Sequence, residues 1–451
     1  MNQTHLGEQP PLTDAEGEKV LHRALWRILP FIFACYVISY LDRTNVGFAA
    51  ISMNQDLGLT ATMFGWAAGL FFFGYFIFEV PSNLLMQRFG ARIWIARIMI
   101  SWGLISMATA FATGPVSFSI LRFLLGVAEA GFTPGVYLYF TYWFPGKWRA
   151  KATAAFLLGI PTANIIGSPL SGFLLNVHDF MGLRNWQFLL VMEALPAVLL
   201  GILCLFVLVD TPAKARWLST RERTWLTARL AREQREIGAA HGSKLRDAMI
   251  NPKVFLLAAI NFCGIVGSVG IGIWMPQIIK SLGMQNTTVG LVATIPYLLG
   301  AVAMTLWARQ ANQSAQRLPY VVGALGLAAL GLVGAALSAD PLLRMSCLSV
   351  TVASILSFQA TFWAIPSTFL TGRAAAGGLA LIVSIGNLGG FVGPFAIGLV
   401  KDATQSYSGP FYVVAAVLAL GVALMLWLGD PSRRVPVKPV GGTALESAGR
   451  T

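Results

Sequence analysis

Twelve stretches of this chain run for about 20 residues or more with few charges between their ends, and no other property restricts its fold as severely. A helix rises 1.5 Å per residue, so each stretch is long enough to cross the ~30 Å hydrocarbon core of a bilayer. Inside that core every backbone N–H and C=O needs a partner, which leaves helices and closed barrels as the only spanning structures. Continuous apolar runs of this length select helices. The expected spans lie at about 27–50, 62–86, 91–112, 115–140, 150–174 and 186–209, then at about 253–280, 287–308, 319–338, 342–370, 376–400 and 411–429. The expected fold class is therefore an all-α membrane protein with twelve transmembrane helices in two pseudo-symmetric six-helix halves.

Composition agrees: 56% of the 451 residues are hydrophobic and 11% are charged, against about 25% charged in soluble domains. The net charge of +13 would suit a nucleic-acid partner, but its distribution points elsewhere. Lys19, Arg23, Arg27, Arg88, Arg92, Lys147, Arg149, Lys151, the loop from Lys214 to Lys253, Arg309, Arg317, Arg373 and the tail arginines all fall on one side of the expected spans. The opposite side holds Arg184, Lys280, Arg344 and Lys401. Such bias follows the positive-inside rule and places both termini in the cytoplasm. No nucleic acid is expected as a partner.

The expected organisation is a cytoplasmic tail (1–24), a first half (25–209), a cytoplasmic connector (210–252), a second half (253–430) and a second tail (431–451). No cleaved signal peptide is read at the start. The connector sequence DTPAKARWLSTRERTWLTARLAREQREI reads as a surface helix capped by Ser219 or Thr220, with Trp217, Trp225, Leu226 and Leu230 on its apolar side. Span five (NIIGSPLSG) and span eleven (NLGGFVGPFAIG) echo one another in glycine, asparagine and proline; transporters built from such repeats bind substrate between them near mid-membrane. Cys35, Cys204, Cys263 and Cys347 all fall inside spans without CxxC or His pairing, and read as buried thiols.

The first expected span contains CYVISYLDRTNVGFAAI, which buries Asp42 and Arg43. Intramembrane charges are costly and normally face a partner or a wet cavity. At 1.5 Å per residue Asp42 and Arg122 each lie about 10–12 Å below the outer ends of spans one and four. Arg122 and Glu129 are seven residues apart and share a helix face. These residues suit an anion grip (Arg43, Arg122) beside proton carriers (Asp42, Glu129), since a low-dielectric site favours the neutral carboxyl and an Arg fork holds a carboxylate in two hydrogen bonds. A permanent structural Asp42–Arg122 pair fits the spacing as well. Glu79 and Glu193 suit helix ends or loop arginines, and Arg97 lies close enough to the inner face to snorkel. In the second half Gln359, Trp363 and Asn387 supply polar and aromatic groups near the Pro366 break; Tyr40 and Tyr75 add hydroxyl donors from the first.

YLDRTN, GYFIFEVPSNLLMQRFGAR, RFLLGVAEAGFTPG, WFPGKWRAKA, DTPAKARWLSTRERTWL and FWAIPSTFLTGRAAAGGLALIVSIGNLGGFVGP together resemble the anion:cation symporter family of the major facilitator superfamily, over about residues 22–430. The resemblance implies the major facilitator fold and proton-coupled import of an organic anion by alternating access, with no cofactor beyond the coupling proton. It implies proton coupling at Asp42 and Glu129, anion binding or gating at Arg43 and Arg122, and substrate contact at Tyr40, Tyr75, Trp363 and Asn387. Gln359 and Asn164 are added as substrate-binding candidates, and Arg88, Arg92 and Glu79 as gating or structural ones. The branch most similar handles tartrate, phthalate or 4-hydroxyphenylacetate. Two departures stand out: Ile160 replaces a glutamine of sugar-acid members, with Asn164 one turn on, and Gln87 precedes Arg88 where the superfamily carries an acid. A sugar-acid symporter and a non-transporting carboxylate sensor are the alternatives. No metal site and no enzyme chemistry are expected; the expected setting is a bacterial inner membrane and the expected state a monomer.

Overall fold

The computed structural model describes residues 12–178, 180–239, 251–314, 316–366 and 372–429. Residues 1–11 of the first expected tail, the whole of the second, part of the connector, the last turn expected for span ten and the Arg373 side chain lie outside the described residues. Among the described residues, twelve helical spans are long and apolar enough to cross a membrane: Asp14–Asp56, Ala61–Phe89, Ala91–Thr109, Pro115–Trp143, Gly146–Leu174, Asn185–Val207, Pro252–Lys280, Asn286–Gln313, Leu318–Leu337, Pro341–Phe362, Gly377–Thr404 and Ser408–Leu428. They are numbered one to twelve below. Large apolar side chains such as Phe206, Leu330 and Trp427 stand exposed on the outside of the bundle, as a lipid-facing surface requires and a soluble monomer avoids.

Two span boundaries differ from the hydropathy expectation by about eight residues or more. Span one begins at Asp14, where Thr13 and Glu16 form a capping box, and its polar extension buries Gly17, Val20, Leu21 and Ala24 on one side. That side meets the connector helix Thr220–Ala239, whose Trp225 packs on Gly17. An amphipathic turn is invisible to a hydropathy window. Span ten ends at Phe362 and turns before Pro366, because the residue before a proline is pushed out of the helical region. The connector helix is capped as expected: Ser219 Oγ accepts from Glu222 N (3.2 Å) and Glu222 returns the bond to Ser219 N (2.9 Å).

Three spans are interrupted along their length. Span four is a helix Pro115–Glu129, a turn, and a second helix Phe132–Trp143. The turn needs Gly131 at φ +86°, a conformation open to glycine. Span five divides at Leu158 and span eleven at Leu388, immediately after Asn387. The two spans that echo one another in sequence are both interrupted, span eleven within its echoing stretch and span five just ahead of it.

The halves touch through spans one and seven, two and eleven, and five and eight. In the last pair backbones nearly meet: a Cβ on Gly172 would stand 2.9 Å from the Cα of Gly290. At the end remote from the connector, Asp402 of span eleven accepts hydrogen bonds from Ala61 N (3.1 Å) and Thr62 N (2.7 Å), capping the start of span two. At the connector end the halves part around a cavity. Ion pairs there tie the connector helix to span one, Arg23–Glu222 at 3.1 Å and Arg229–Asp14 at 3.6 Å, and to span five through Arg149–Glu233.

Candidate functional site

Between the halves lies a cavity of about 510 Å³ lined by both, which reaches toward the connector end as far as Val80, Asn83 and Leu84. Spans one and two contribute Tyr40, Arg43, Phe72, Tyr75 and Glu79; spans seven, ten and eleven contribute Asn261, Gln359, Trp363, Ser384 and Asn387. A deeper extension of about 70 Å³ adds Thr44, Asn164 and Tyr297. Among the described lining residues Arg43 is the one cation and Glu79 the one carboxylate.

Arg43 is held from every side. Its Nε donates to Glu129 Oε1 at 2.8 Å and its Nη2 stands 2.7 Å from the same oxygen. Its guanidinium sits over the rings of Tyr75 (5.2 Å), Tyr40 (5.4 Å) and Phe71 (5.5 Å). Stacking on aromatic faces suits guanidinium, which is weakly hydrated and planar. Ser39 Oγ also donates to Glu129 Oε1, at 2.7 Å. Glu129 Oε2 is buried without a hydrogen-bond partner. Glu129, at the last turn before the break of span four, is fully buried just behind the cavity wall and meets the cavity through Arg43.

Asp42 and Arg122 lie behind this wall. Asp42 is 1% exposed and absent from the cavity lining. One of its oxygens accepts from Ser106 of span three and from Asn45 (3.2 Å), and the other has no partner. Arg122 is 2% exposed, stands over the Phe71 ring at 5.2 Å, and leaves its Nε without a partner. The direct ion pair expected between Asp42 and Arg122 is not formed; Arg43 and Glu129 form one instead. Adjacent residues on a helix point about 100° apart, so Asp42 faces span three when Arg43 faces the cavity. Glu79 also departs from a helix-end role: it lines the cavity, and Asn387 Nδ2 approaches its Oε2 at 3.5 Å across the two halves.

The remaining candidates divide. Tyr40, Tyr75, Trp363, Asn387 and Gln359 line the main cavity, and Asn164 the deeper extension. Gln359 donates to Ser268 at 3.0 Å, and Asn164 to Ile160 O at 2.9 Å. Ile160 lines both cavities, so the position that departs from the sugar-acid pattern is in the site. Arg88 and Arg92 are exposed at the connector end, away from the cavity. Sequence reasoning missed Ser39 and Ser106, which hold the two acids; their signal was a hydroxyl one turn from a buried charge, or at its depth. Glu193, expected at a helix end or on a loop arginine, is instead buried in span six and accepts from Ser171 Oγ at 2.6 Å.

A bundle of twelve spans in two halves, with a charged and aromatic cavity between them, defines a membrane transporter. Residues 32–285 and 254–448 match the model of the Major Facilitator Superfamily, and the chain belongs to that superfamily. It is 47% identical over 425 residues to an Agrobacterium vitis protein whose name assigns it tartrate transport provisionally, covering 94% of both chains. It is 40% identical over 408 residues to a quinolone resistance transporter of Acinetobacter baumannii, covering 90% of this chain and 94% of that one. The solved D-xylose–proton symporter shares its fold at a TM-score of 0.74 and 16% identity, over 91% of this chain and 98% of the other.

Proposed function

We propose that the protein is a proton-coupled symporter that imports a small organic anion, a hydroxy- or aromatic carboxylate such as tartrate, phthalate or 4-hydroxyphenylacetate, by alternating access across a bacterial inner membrane. The observation that carries this reading is the Arg43–Glu129 pair: the one cation lining the main cavity among the described residues is already bound to a buried acid. A substrate carboxylate that docks on Arg43 competes with Glu129. Burying an unpaired carboxylate costs several kcal/mol, so releasing Glu129 from Arg43 is favourable when Glu129 takes a proton as it lets go. Anion and proton then occupy the pair together, which is the coupling a symporter needs. The aromatic box of Tyr40, Tyr75 and Phe71 keeps Arg43 in place through the exchange.

Two relatives named for tartrate transport, 47% and 46% identical, support a small hydroxycarboxylate. Ile160 makes one wall apolar where a polyhydroxylated sugar acid would need a hydrogen-bond partner, which favours smaller or aromatic acids. The test is substrate-induced proton movement in proteoliposomes carrying an internal pH dye, over a panel of tartrate, galactonate, glucarate, phthalate and 4-hydroxyphenylacetate. Lumenal acidification on adding one acid, lost in Glu129→Gln while radiolabel counterflow of that acid persists, is the expected result. Counterflow without acidification in the unmodified protein would refute proton coupling.

A further inference from the structure

At the connector end, on the outer surface and away from the transport cavity, the first half carries a second pocket of about 700 Å³. Four cations converge on it from three places in the chain: Arg27 of span one, Arg92 at the start of span three, and Lys214 and Arg216 of the connector. Its one carboxylate, Asp210, is already engaged. It accepts from Arg92 N at 3.0 Å, capping span three, and pairs with Lys214 at 3.4 Å. None of the three guanidinium groups is in an ion pair among the described residues. Arg27 is nonetheless positioned: its guanidinium stands over Trp217 at 5.2 Å, Trp217 stacks on Trp143 at 5.7 Å, and Trp143 is tied to Val209 O at 3.1 Å. Stacking leaves the donor edges of the guanidinium open to an oxyanion.

The pocket also has an apolar side. Phe206, 79% exposed, lines it, and Leu203 and Leu199 continue from it along the exposed face of span six at the spacing of successive helix turns. A polar basin of positive charge opening onto an exposed apolar track at the end of a transmembrane helix has the two-part character of a phospholipid, not of a free ion.

We propose that this pocket binds an anionic phospholipid, its phosphate held by Arg27, Arg92 and Arg216 and its acyl chains lying along span six. Juxtamembrane cations of this kind attract the anionic leaflet by about one factor of five in affinity per charge. The site joins span one, span three and the connector, so an occupied pocket also braces the connector against the first half. The inference stands independently of the substrate reading, because its test measures lipid and not transport.

The experiment is native mass spectrometry and thermal denaturation of the purified full-length protein with added phosphatidylglycerol, phosphatidylcholine or inorganic phosphate. Phosphatidylglycerol is expected to bind at one preferred site and to raise the melting temperature more than phosphatidylcholine does. Replacing Arg27, Arg92 and Arg216 together by Gln should weaken that binding about 100-fold, at about fivefold per cation. Replacing Arg232, Arg235 and Arg309, which are exposed outside the pocket, should leave it unchanged. Arg216→Gln alone, a connector substitution with no packing role among the contacts above, gives the same readout at about fivefold if the triple variant does not fold. Equal losses in both triple variants, no preference over phosphatidylcholine, or an Arg216→Gln affinity equal to that of the unmodified protein would overturn the proposal. So would inorganic phosphate reproducing the full stabilisation, which would mean a free-oxyanion site.

Discussion

Asp402 joins the two halves at the end remote from the connector, and its removal tests how much of the closed state rests on one side chain. The carboxylate accepts from the N–H groups of Ala61 and Thr62, two of the donors that a helix leaves unsatisfied at its start. On an alternating-access cycle these bonds must break whenever that end opens. Losing a side-chain cap costs about 1 kcal/mol, and losing a negative charge at a helix N-terminus costs up to about 1 kcal/mol more. Asp402→Ala should therefore shift the ratio of closed to open forms by about 2 kcal/mol, or roughly 30-fold at 1.4 kcal/mol per factor of ten. Asp402→Asn keeps an acceptor without the charge and should shift it by less. The assay is pulsed electron paramagnetic resonance between spin labels at Gln55 and Ser406, which are exposed at that end on opposite halves, with the four native cysteines replaced by serine. A longer-distance population that grows in the order native, Asn, Ala is the expected result. Identical distance distributions in a folded Asp402→Ala protein would show that the glycine-lined backbone contacts alone hold that end shut.

Three further outcomes are expected. Arg43→Ala strands Glu129 in a buried site and should destabilise the protein by about 3–5 kcal/mol, with Arg43→Ala/Glu129→Gln recovering most of the loss in thermal denaturation; additive losses would mean the pair is not coupled. Ile160→Gln adds a donor and acceptor to both cavities and should raise counterflow of galactonate relative to phthalate by about fivefold, the worth of one hydrogen bond; an unchanged ratio would place the specificity elsewhere. Ser219→Ala removes the cap of the connector helix and should cost about 1 kcal/mol, measured as faster proteolysis between Ser219 and Ala239; unchanged proteolysis would show that the ion pairs to span one hold the helix unaided.

What the sequence made legible followed from single-segment physics. Twelve spans, their approximate depths and the burial of Asp42, Arg122 and Glu129 all come from hydropathy and helical rise, which need no partner. What stayed hidden was orientation about the helix axis. Depth alone made Asp42 and Arg122 natural partners, yet rotation carries Asp42 toward Ser106 on span three and Arg43 toward Glu129 on span four. Glu79 and Asn387 illustrate the same limit, since their contact depends on how the halves face one another. The helical extension Asp14–Trp26 was hidden because its stability comes from Trp225, some 200 residues away in the chain.

The separation of the two central acids has a consequence for coupling on the proposed reading. Glu129 touches Arg43 directly and so responds to whatever occupies the cavity. Asp42 touches only Ser106 and Asn45 among its recorded partners, and a substrate in the cavity cannot reach it. Its influence on transport passes through the packing of spans one and three and through its charge interaction with Glu129 and Arg122, not through contact with substrate. Substituting Glu129 should therefore change both apparent affinity and coupling, because the Arg43 grip loses its competitor. Substituting Asp42 by Asn, with Ser106 and Asn45 still present, should leave carboxylate affinity by calorimetry within about twofold, since no hydrogen bond to substrate is removed, while lowering accumulation driven by a proton gradient. If Asp42→Asn instead weakens binding as strongly as Arg43→Ala does, the two acids act as one unit and the division between cavity wall and buried flank carries no mechanistic weight.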